Sequence, residues 1–294
     1  ASIDVSGAAS APGVVLAWSH LNVPEQAPRG ARQNPRSQRA SNPALESDRI
    51  EHYGQTVAFI LADTLENARA AEGGVRITYE AADADLDFAT HVEDAGPAPG
   101  EEDVRIGDFE AGYSASEVTV DGTWFSPLQN HAQMEPCATT AWWEGDKVVV
   151  HTSIQMVKGG QHALAETLGI PSDRVRLFTR YIGGGFGGKG QSYDDLTLAA
   201  LAARESGRPV RVAYTRRQMF QATIHRPAVQ MRVRLGADRT GRLNAMAVEA
   251  VTHCARNAPF VEHAANFARN LYGAPHRLTG HRLVRLDIPH AGAM

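Results

Sequence analysis

The sequence is short of cysteine, of basic charge and of long apolar runs, and each shortage closes a class of function. Its 294 residues include two cysteines, Cys137 and Cys254, far apart and in no CxxC pair. A disulfide framework and a cysteine-rich zinc site are thereby excluded. So is an iron–sulfur cluster held within the chain, which takes about four thiolates. Lys and Arg number 29 against 33 Asp and Glu, a net charge of −4, which argues against a nucleic-acid surface. No apolar run approaches the roughly 18 residues of a membrane span. The twelve histidines form no HExxH and no close ligand pair, so no metal-ligating residue is expected. The N-terminus, ASIDVSGAAS, lacks the basic and apolar regions of a secretory signal; it also lacks Met, which points to processing or truncation.

What is present reads as globular: 43% hydrophobic and 21% charged residues. Short β-like runs occur at 13–18 and 56–62, separated by a long polar loop at 26–43. A helix over 63–73, capped by Asp63 or Thr64, and a strand at 75–81 complete a small α/β unit over 1–92. Residues 93–109, rich in Pro, Gly and acid, read as an inter-domain linker. A second unit, 110–294, opens with strands at 117–125, 139–144 and 147–153, the last two joined at Gly145-Asp146. A helix at 159–168 stops at Gly169. A strand at 174–182 leads into a glycine-rich loop, followed by an Ala- and Leu-rich helix at 192–207. Strands follow at 209–215, 229–236 and 242–253, with a turn at Asp238 to Gly241. The pair Trp142-Trp143 should point to opposite faces of its strand, one toward the core.

The loop, GGGFGGKG at 183–190, admits three readings. It formally satisfies GxGxxG between a strand and a helix, but no acid ends the following strand, as a dinucleotide site requires. It nearly satisfies GxxxxGK[ST], but Gly190 stands where the magnesium-binding hydroxyl belongs. Otherwise it is a tight turn with Phe186 packing. Glycines let backbone N–H groups approach a ligand closely, and a helix starting near Ser192 would add positive dipole there.

The motifs around it narrow the choice. HAQMEPCATTAWWEGD (131–146), HTSIQ (151–155), VRLFTRYIGGGFGGKG (175–190), TRRQMFQATIHRP (215–227), VRLGADRTGRL (233–243) and LYGAPHRLTGHRLVRLDIP (271–289) occur in order. Together they resemble the molybdenum-binding large subunit of the xanthine oxidase and aldehyde oxidoreductase family, especially the separate large subunit of bacterial three-subunit aldehyde oxidoreductases. The resemblance covers essentially the whole chain.

The resemblance implies an α+β fold: an α/β-hammerhead domain over 1–92, then the first part of a mixed α/β molybdenum-cofactor-binding domain over 110–294. It implies a molybdenum–pterin cofactor, as molybdopterin or its cytosine dinucleotide. Gln155, Gly184, Gly185, Phe186 and Gly187 are the implied cofactor-binding residues. The implied reaction hydroxylates an aldehyde or neutral N-heterocycle with water as oxygen source. Electrons leave through an iron–sulfur subunit and an FAD subunit. The family's base glutamate belongs to a Gly-x-Gly-Glu motif that this chain lacks, so no catalytic residue is expected here, and the remainder of the molybdenum subunit is an expected partner. Purine-acting members carry Glu after the loop lysine; Gly190 stands there. Glu135 and Cys137 read as structural, the first buried and the second a small apolar residue. A cytoplasmic location is expected, with the periplasm, reached through a partner's export signal, as the alternative. The competing functions are a non-catalytic assembly module of the same fold and, less favoured, a P-loop or Rossmann nucleotide enzyme.

Overall fold

The computed structural model describes residues 1–28 and 43–292; the loop expected at 26–43 falls largely outside them. In chain order, the first elements are β1 (Ser2–Asp4), α1 (Ser6–Ala9), β2 (Val14–Trp18), β3 (Phe59–Ala62), α2 (Leu65–Ala71) and β4 (Arg76–Thr78). Then come β5 (Gly96–Pro97), β6 (Val104–Ile106), α3 (Phe109–Ser114), β7 (Val118–Ser126), β8 (Ala138–Glu144), β9 (Lys147–Thr152) and α4 (Val157–Leu168). The rest are β10 (Val175–Phe178), α5 (Asp194–Ser206), β11 (Val210–Ala213), α6 (Arg216–Gln221), β12 (Val229–Ala237), β13 (Leu243–Ala255), α7 (Asn266–Leu271) and β14 (His276–Leu286). Helices and sheets mix in the α+β manner expected.

Two compact units interleave in sequence: Ala1–Ala82 with His131–Thr223, and Asp83–Asn130 with Ile224–Met294. In the first, a four-stranded sheet has the order β10-β9-β8-β11, and two-stranded pairs form from β1 with β4 and β2 with β3. Only β9 and β10 run parallel; β8 is antiparallel to both its neighbours. That is not the parallel sheet of a dinucleotide-binding fold. Helix α5 buries every residue from Asp195 to Ala203, because small Ala side chains let it lie close on the sheet. It ends at Gly207, whose φ of 63° is left-handed. Trp143 points into this core and donates its indole N–H to the Ala200 carbonyl at 2.8 Å. Trp142 instead stacks on His151. Trp18, Leu16, Phe59 and Leu61 join the same core, so the N-terminal segment shares one hydrophobic interior with the sheet.

The second unit is built on a sheet of order β5-β14-β13-β12-β7, with β6 also paired to β14. Strand β14 runs parallel to β13 over eleven residue pairs. Helix α3 covers one face, with Phe109 and Tyr113 against Ala245, Ala247 and Leu278. Helix α7 covers part of the other, with Ala265 and Ala268 against Met246, Val248 and Ala250.

Three differences from the sequence reading stand out. The strand expected at 174–182 stops at Phe178, where the chain leaves the sheet and the Thr179 hydroxyl donates to the Thr152 carbonyl at 2.8 Å. Residues 93–109, expected to be a linker, place β5 and β6 on β14. The short helices α3, α6 and α7, and β14 as a strand, were not anticipated. Among the described residues, no helix is long and apolar enough to cross a membrane.

Candidate functional site

Strand polarity gathers the site. Because β8 is antiparallel to β9 while β10 is parallel to it, the start of β8 and the ends of β9 and β10 share one edge of the sheet. Residues just before β8 (Gln133, Glu135), just after β9 (Gln155) and after β10 (183–190) therefore meet.

Two tight turns shape the loop: Gly188 N–H donates to the Gly185 carbonyl at 2.8 Å and Gly190 N–H to the Gly187 carbonyl at 2.9 Å. The left-handed φ values of Gly184 (90°) and Gly187 (92°) explain glycine at those positions. Phe186 is left-handed too, at 52°, an unfavourable state for an aromatic residue. It is 64% exposed. An exposed, strained aromatic is not packing into a core, so the simple-turn reading of Phe186 fails.

Gln155 clamps the loop. Its side-chain oxygen accepts from the N–H groups of Gly187 (3.1 Å) and Lys189 (3.0 Å), and its own N–H donates to the Lys189 carbonyl at 2.8 Å. With Oε1 committed, Nε2 is the donor end that remains. A Cβ at Gly185 would lie 2.5 Å from the Gln155 side-chain carbonyl carbon. Glycine is required there for contact with Gln155 rather than for a special φ.

Glu135 holds the other end. Its N–H donates to the Gly183 carbonyl at 3.1 Å, and its carboxylate accepts from Gly183 N–H at 2.7 Å and from Lys189 Nζ at 2.6 Å. Lys189 is fully buried, whereas the Glu135 side chain is 39% exposed, less enclosed than the sequence suggested. Burial pushes the Glu135 carboxyl up, but the Lys189 ammonium and Gly183 N–H outweigh it and hold it below its usual value. Lys189, sealed against Glu135, cannot reach a phosphate as a P-loop lysine does.

The N–H groups of Gly184, Gly185 and Phe186, at the loop's tip, have no acceptor among the described residues. Gly185 is nonetheless buried. A buried donor without a partner costs roughly 1–3 kcal/mol. Beside the loop, the amide nitrogen of buried Gln133 also lacks a partner.

The helix after the loop contributes differently from expectation. Its first turn carries two acids of its own, Asp194 and Asp195, and Leu196 N–H donates to the Tyr193 carbonyl at 3.0 Å. The helix dipole is thus answered internally rather than aimed at a ligand. Asp195 also accepts from the Thr139 hydroxyl at 2.6 Å. Burial raises its pKa to about 7, against the lowering effect of Thr139. Cys137 is buried, with its thiol pKa pushed up by burial and by Asp195, which makes it inert. His151 lies at the end of β9 between Trp142 and Phe178; His131 is buried but belongs to no strand. No group of His, Cys, Asp and Glu able to hold a metal occurs among the described residues.

Comparison with known proteins fits this geometry. Residues 1–83 match the aldehyde oxidase and xanthine dehydrogenase a/b hammerhead domain, and residues 92–294 match the molybdopterin cofactor-binding domain. The chain belongs to the molybdopterin-binding aldehyde oxidase and xanthine dehydrogenase family. Among relatives, the aldehyde oxidoreductase molybdenum-binding subunit PaoC of Escherichia coli K12 is 36% identical across 100% of the chain, but only 39% of PaoC is covered. The xanthine dehydrogenase molybdenum-binding subunit of a second Escherichia coli strain is 26% identical over 91% of the chain and 37% of its own length. Of solved structures, the Desulfovibrio gigas aldehyde oxidoreductase superposes with a TM-score of 0.85 at 26% identity, covering 100% of this chain and 34% of that one. Quinoline 2-oxidoreductase from Pseudomonas putida 86 shares the fold, with a TM-score of 0.86 at 22% identity over 99% of this chain and 40% of that one. The chain thus spans about two-fifths of the length of these two curated relatives.

The residues present fit the family's cofactor. The loop offers neutral donors and no metal ligand, which suits a group whose metal is held by its own pterin. The Glu135–Lys189 pair is the part of the loop's frame that sequence reasoning underrated. HAQMEP carried the signal, but its contact with a loop 48 positions away is invisible in one dimension.

Proposed function

We propose that this chain is the N-terminal part of the molybdenum-binding subunit of an aldehyde oxidoreductase, with Gln155, Gly184, Gly185, Phe186 and Gly187 as its cofactor-binding residues. The observation that carries the reading is the loop's division of labour. Its flanks are tied to Gln155 and Glu135, while the N–H groups of Gly184, Gly185 and Phe186 are left without acceptors among the described residues. When bound, the molybdenum–pterin group supplies a two-electron oxidation with water as the oxygen source. The chain's own part is to hold and orient. The loop N–H groups of Gly184, Gly185 and Phe186 would hold the cofactor by donating to it, Gln155 Nε2 would add a donor beside them, and Gly185 keeps Gln155 against the loop. A fixed array of donors needs no reorganisation during reaction.

Neither Glu135 nor Asp195, the carboxylates described beside the loop, is placed to move a proton at its tip. Glu135 is engaged by Lys189 and Gly183, and Asp195 is buried. The base, on this reading, lies in the part of the subunit beyond this chain. Iron–sulfur and FAD subunits receive the electrons, and the complex works in the cytoplasm. An aldehyde or neutral heterocycle is the favoured substrate. At Gly190, where purine-acting members carry Glu, a Cβ would stand 3.0 Å from the Gly187 carbonyl oxygen, so a side chain there needs that carbonyl to give by a few tenths of an ångström.

The test is metal and pterin analysis of the subunit purified with its partners under full cofactor supply, beside the isolated 294-residue chain. About one molybdenum per assembled subunit, with aldehyde oxidation only in the assembly, is expected. No molybdenum in the assembly would make the chain a structural module. Turnover by the isolated chain would place the base within it.

A further inference from the structure

The sheet of the second unit has one finished face and one open face. Along β12, Met231, Val233 and Leu235 alternate with Gln230, Arg232 and Arg234. Along β7, Val118, Val120 and Trp124 alternate with Thr119, Asp121 and Thr123. The register sets Met231 opposite Trp124 and Leu235 opposite Val120, so the apolar sets share a face and the polar sets share the other. On the polar face the charges are paired: Arg232 with Asp121 at 2.7 Å, and Arg234 with Glu110 at 3.0 Å and Glu249 at 3.4 Å; Phe125, at the end of that face, is stacked on Phe88. On the apolar face α7 packs over Met246, Val248 and Ala250. Beyond it the face is bare, with Val118 49%, Val120 50% and Trp124 55% exposed. Strand β7 ends the sheet, so its outer edge pairs with no strand among the described residues.

An apolar sheet face is stable only under a second layer, and a long apolar edge strand left open invites pairing. We propose that this face and the β7 edge are the docking surface for the remainder of the molybdenum subunit, which completes the layer that α7 begins. The proposal rests on the reading of the preceding section. Two observations favour this occupant. Most of PaoC lies outside the region matched here, which is 39% of it. The part of the face formed by β7 and β12 also carries no charge, since Asp121, Arg232 and Arg234 belong to the opposite side, and charge-poor, strongly apolar surfaces mark permanent association.

The test is capture of a tagged, co-expressed polypeptide comprising the remainder of the subunit. Val120→Asp and Trp124→Asp, each on the open face, are compared with Thr119→Asp on the polar face, with thermal melts and sedimentation of each chain alone. The expected result is at least tenfold less captured chain for Val120→Asp and Trp124→Asp, none of this loss for Thr119→Asp, and melting points of the lone chains within about two degrees. Equal capture of all four chains would overturn the docking surface while leaving the cofactor reading intact. An unaltered chain that captures nothing would overturn both. A lone chain that sediments as a dimer, and as a monomer after Val120→Asp, would assign the face to a second copy instead.

Discussion

The glycine loop and the open sheet face are opposite solutions to incompleteness. In the loop the fold has fixed every group it can: Glu135 and Gln155 hold its flanks, Tyr193 donates to the Gly188 carbonyl at 2.6 Å, and a buried lysine is neutralised. What stays open is polar, a short run of N–H donors aimed by a rigid frame. On the sheet face what stays open is apolar, and nothing but the pleat orders it. The first is suited to a small group that must be placed accurately, the second to a large partner that need only exclude water. Substitutions at the loop should therefore act on the chain itself, and substitutions on the face only on assembly.

The largest effect on stability should come from Glu135→Leu. It strands the ammonium of a fully buried Lys189, and breaking a buried pair costs about 3–5 kcal/mol. The exposed side of Glu135 puts the value at the lower end, readable by urea denaturation. A loss below the scatter of surface substitutions would mean that the clasp is not structural.

Gln155→Ala comes next. It removes the acceptor of two loop N–H groups and the donor beside them. In the assembled enzyme, molybdenum should stay while turnover falls by roughly 10²–10³, the size found when one aimed donor is lost. Steady-state rates against metal content would decide it.

A smaller, pH-dependent effect belongs to Asp195. Burial lifts its carboxyl from 3.8 to about 7. An acid raised in the folded state stabilises fully below its unfolded pKa, and that contribution is lost as pH rises through about 7. The Asp195→Asn chain stays neutral, so the unaltered chain should lose stability relative to it from about pH 4 to about pH 7. Melting both across that range checks the sign; a constant difference would show that the carboxyl is not titrating.

The smallest effect should be Val120→Asp in the chain alone, within about 0.5 kcal/mol, against its large effect on capture. A strongly destabilised lone chain would erase the contrast between the two regions.

Much of this was legible in the sequence, and the reasons are local. Alternation placed β12 and β13, and the glycines at 169 and 207 closed α4 and α5 where left-handed caps belong. The in-order motifs identified the family and its loop. What escaped was set at a distance. Strands β5 and β6 are two and three residues long and exist only because β14 receives them, so no periodicity could mark them. The early end of β10 follows from Thr179 turning to the β9 end, not from any breaker in TRYI. The Glu135 clasp joins segments whose sequences say nothing of each other. Phe186 could be read as core or as tip until its exposure and φ were known.

The central claim is that the loop exists to present backbone donors to a molybdenum–pterin group, and Gly185→Val tests it most directly. The added Cβ would enter the space of the Gln155 amide and push the loop backbone that carries the free N–H groups out of place, which Gln155→Ala, adding no bulk, does not. In the complex assembled under full cofactor supply, molybdenum per subunit is predicted to fall at least tenfold, with only a modest shift in the thermal transition. Full molybdenum and full activity in Gly185→Val would contradict the account and leave residues 183–190 as a turn between a strand and a helix.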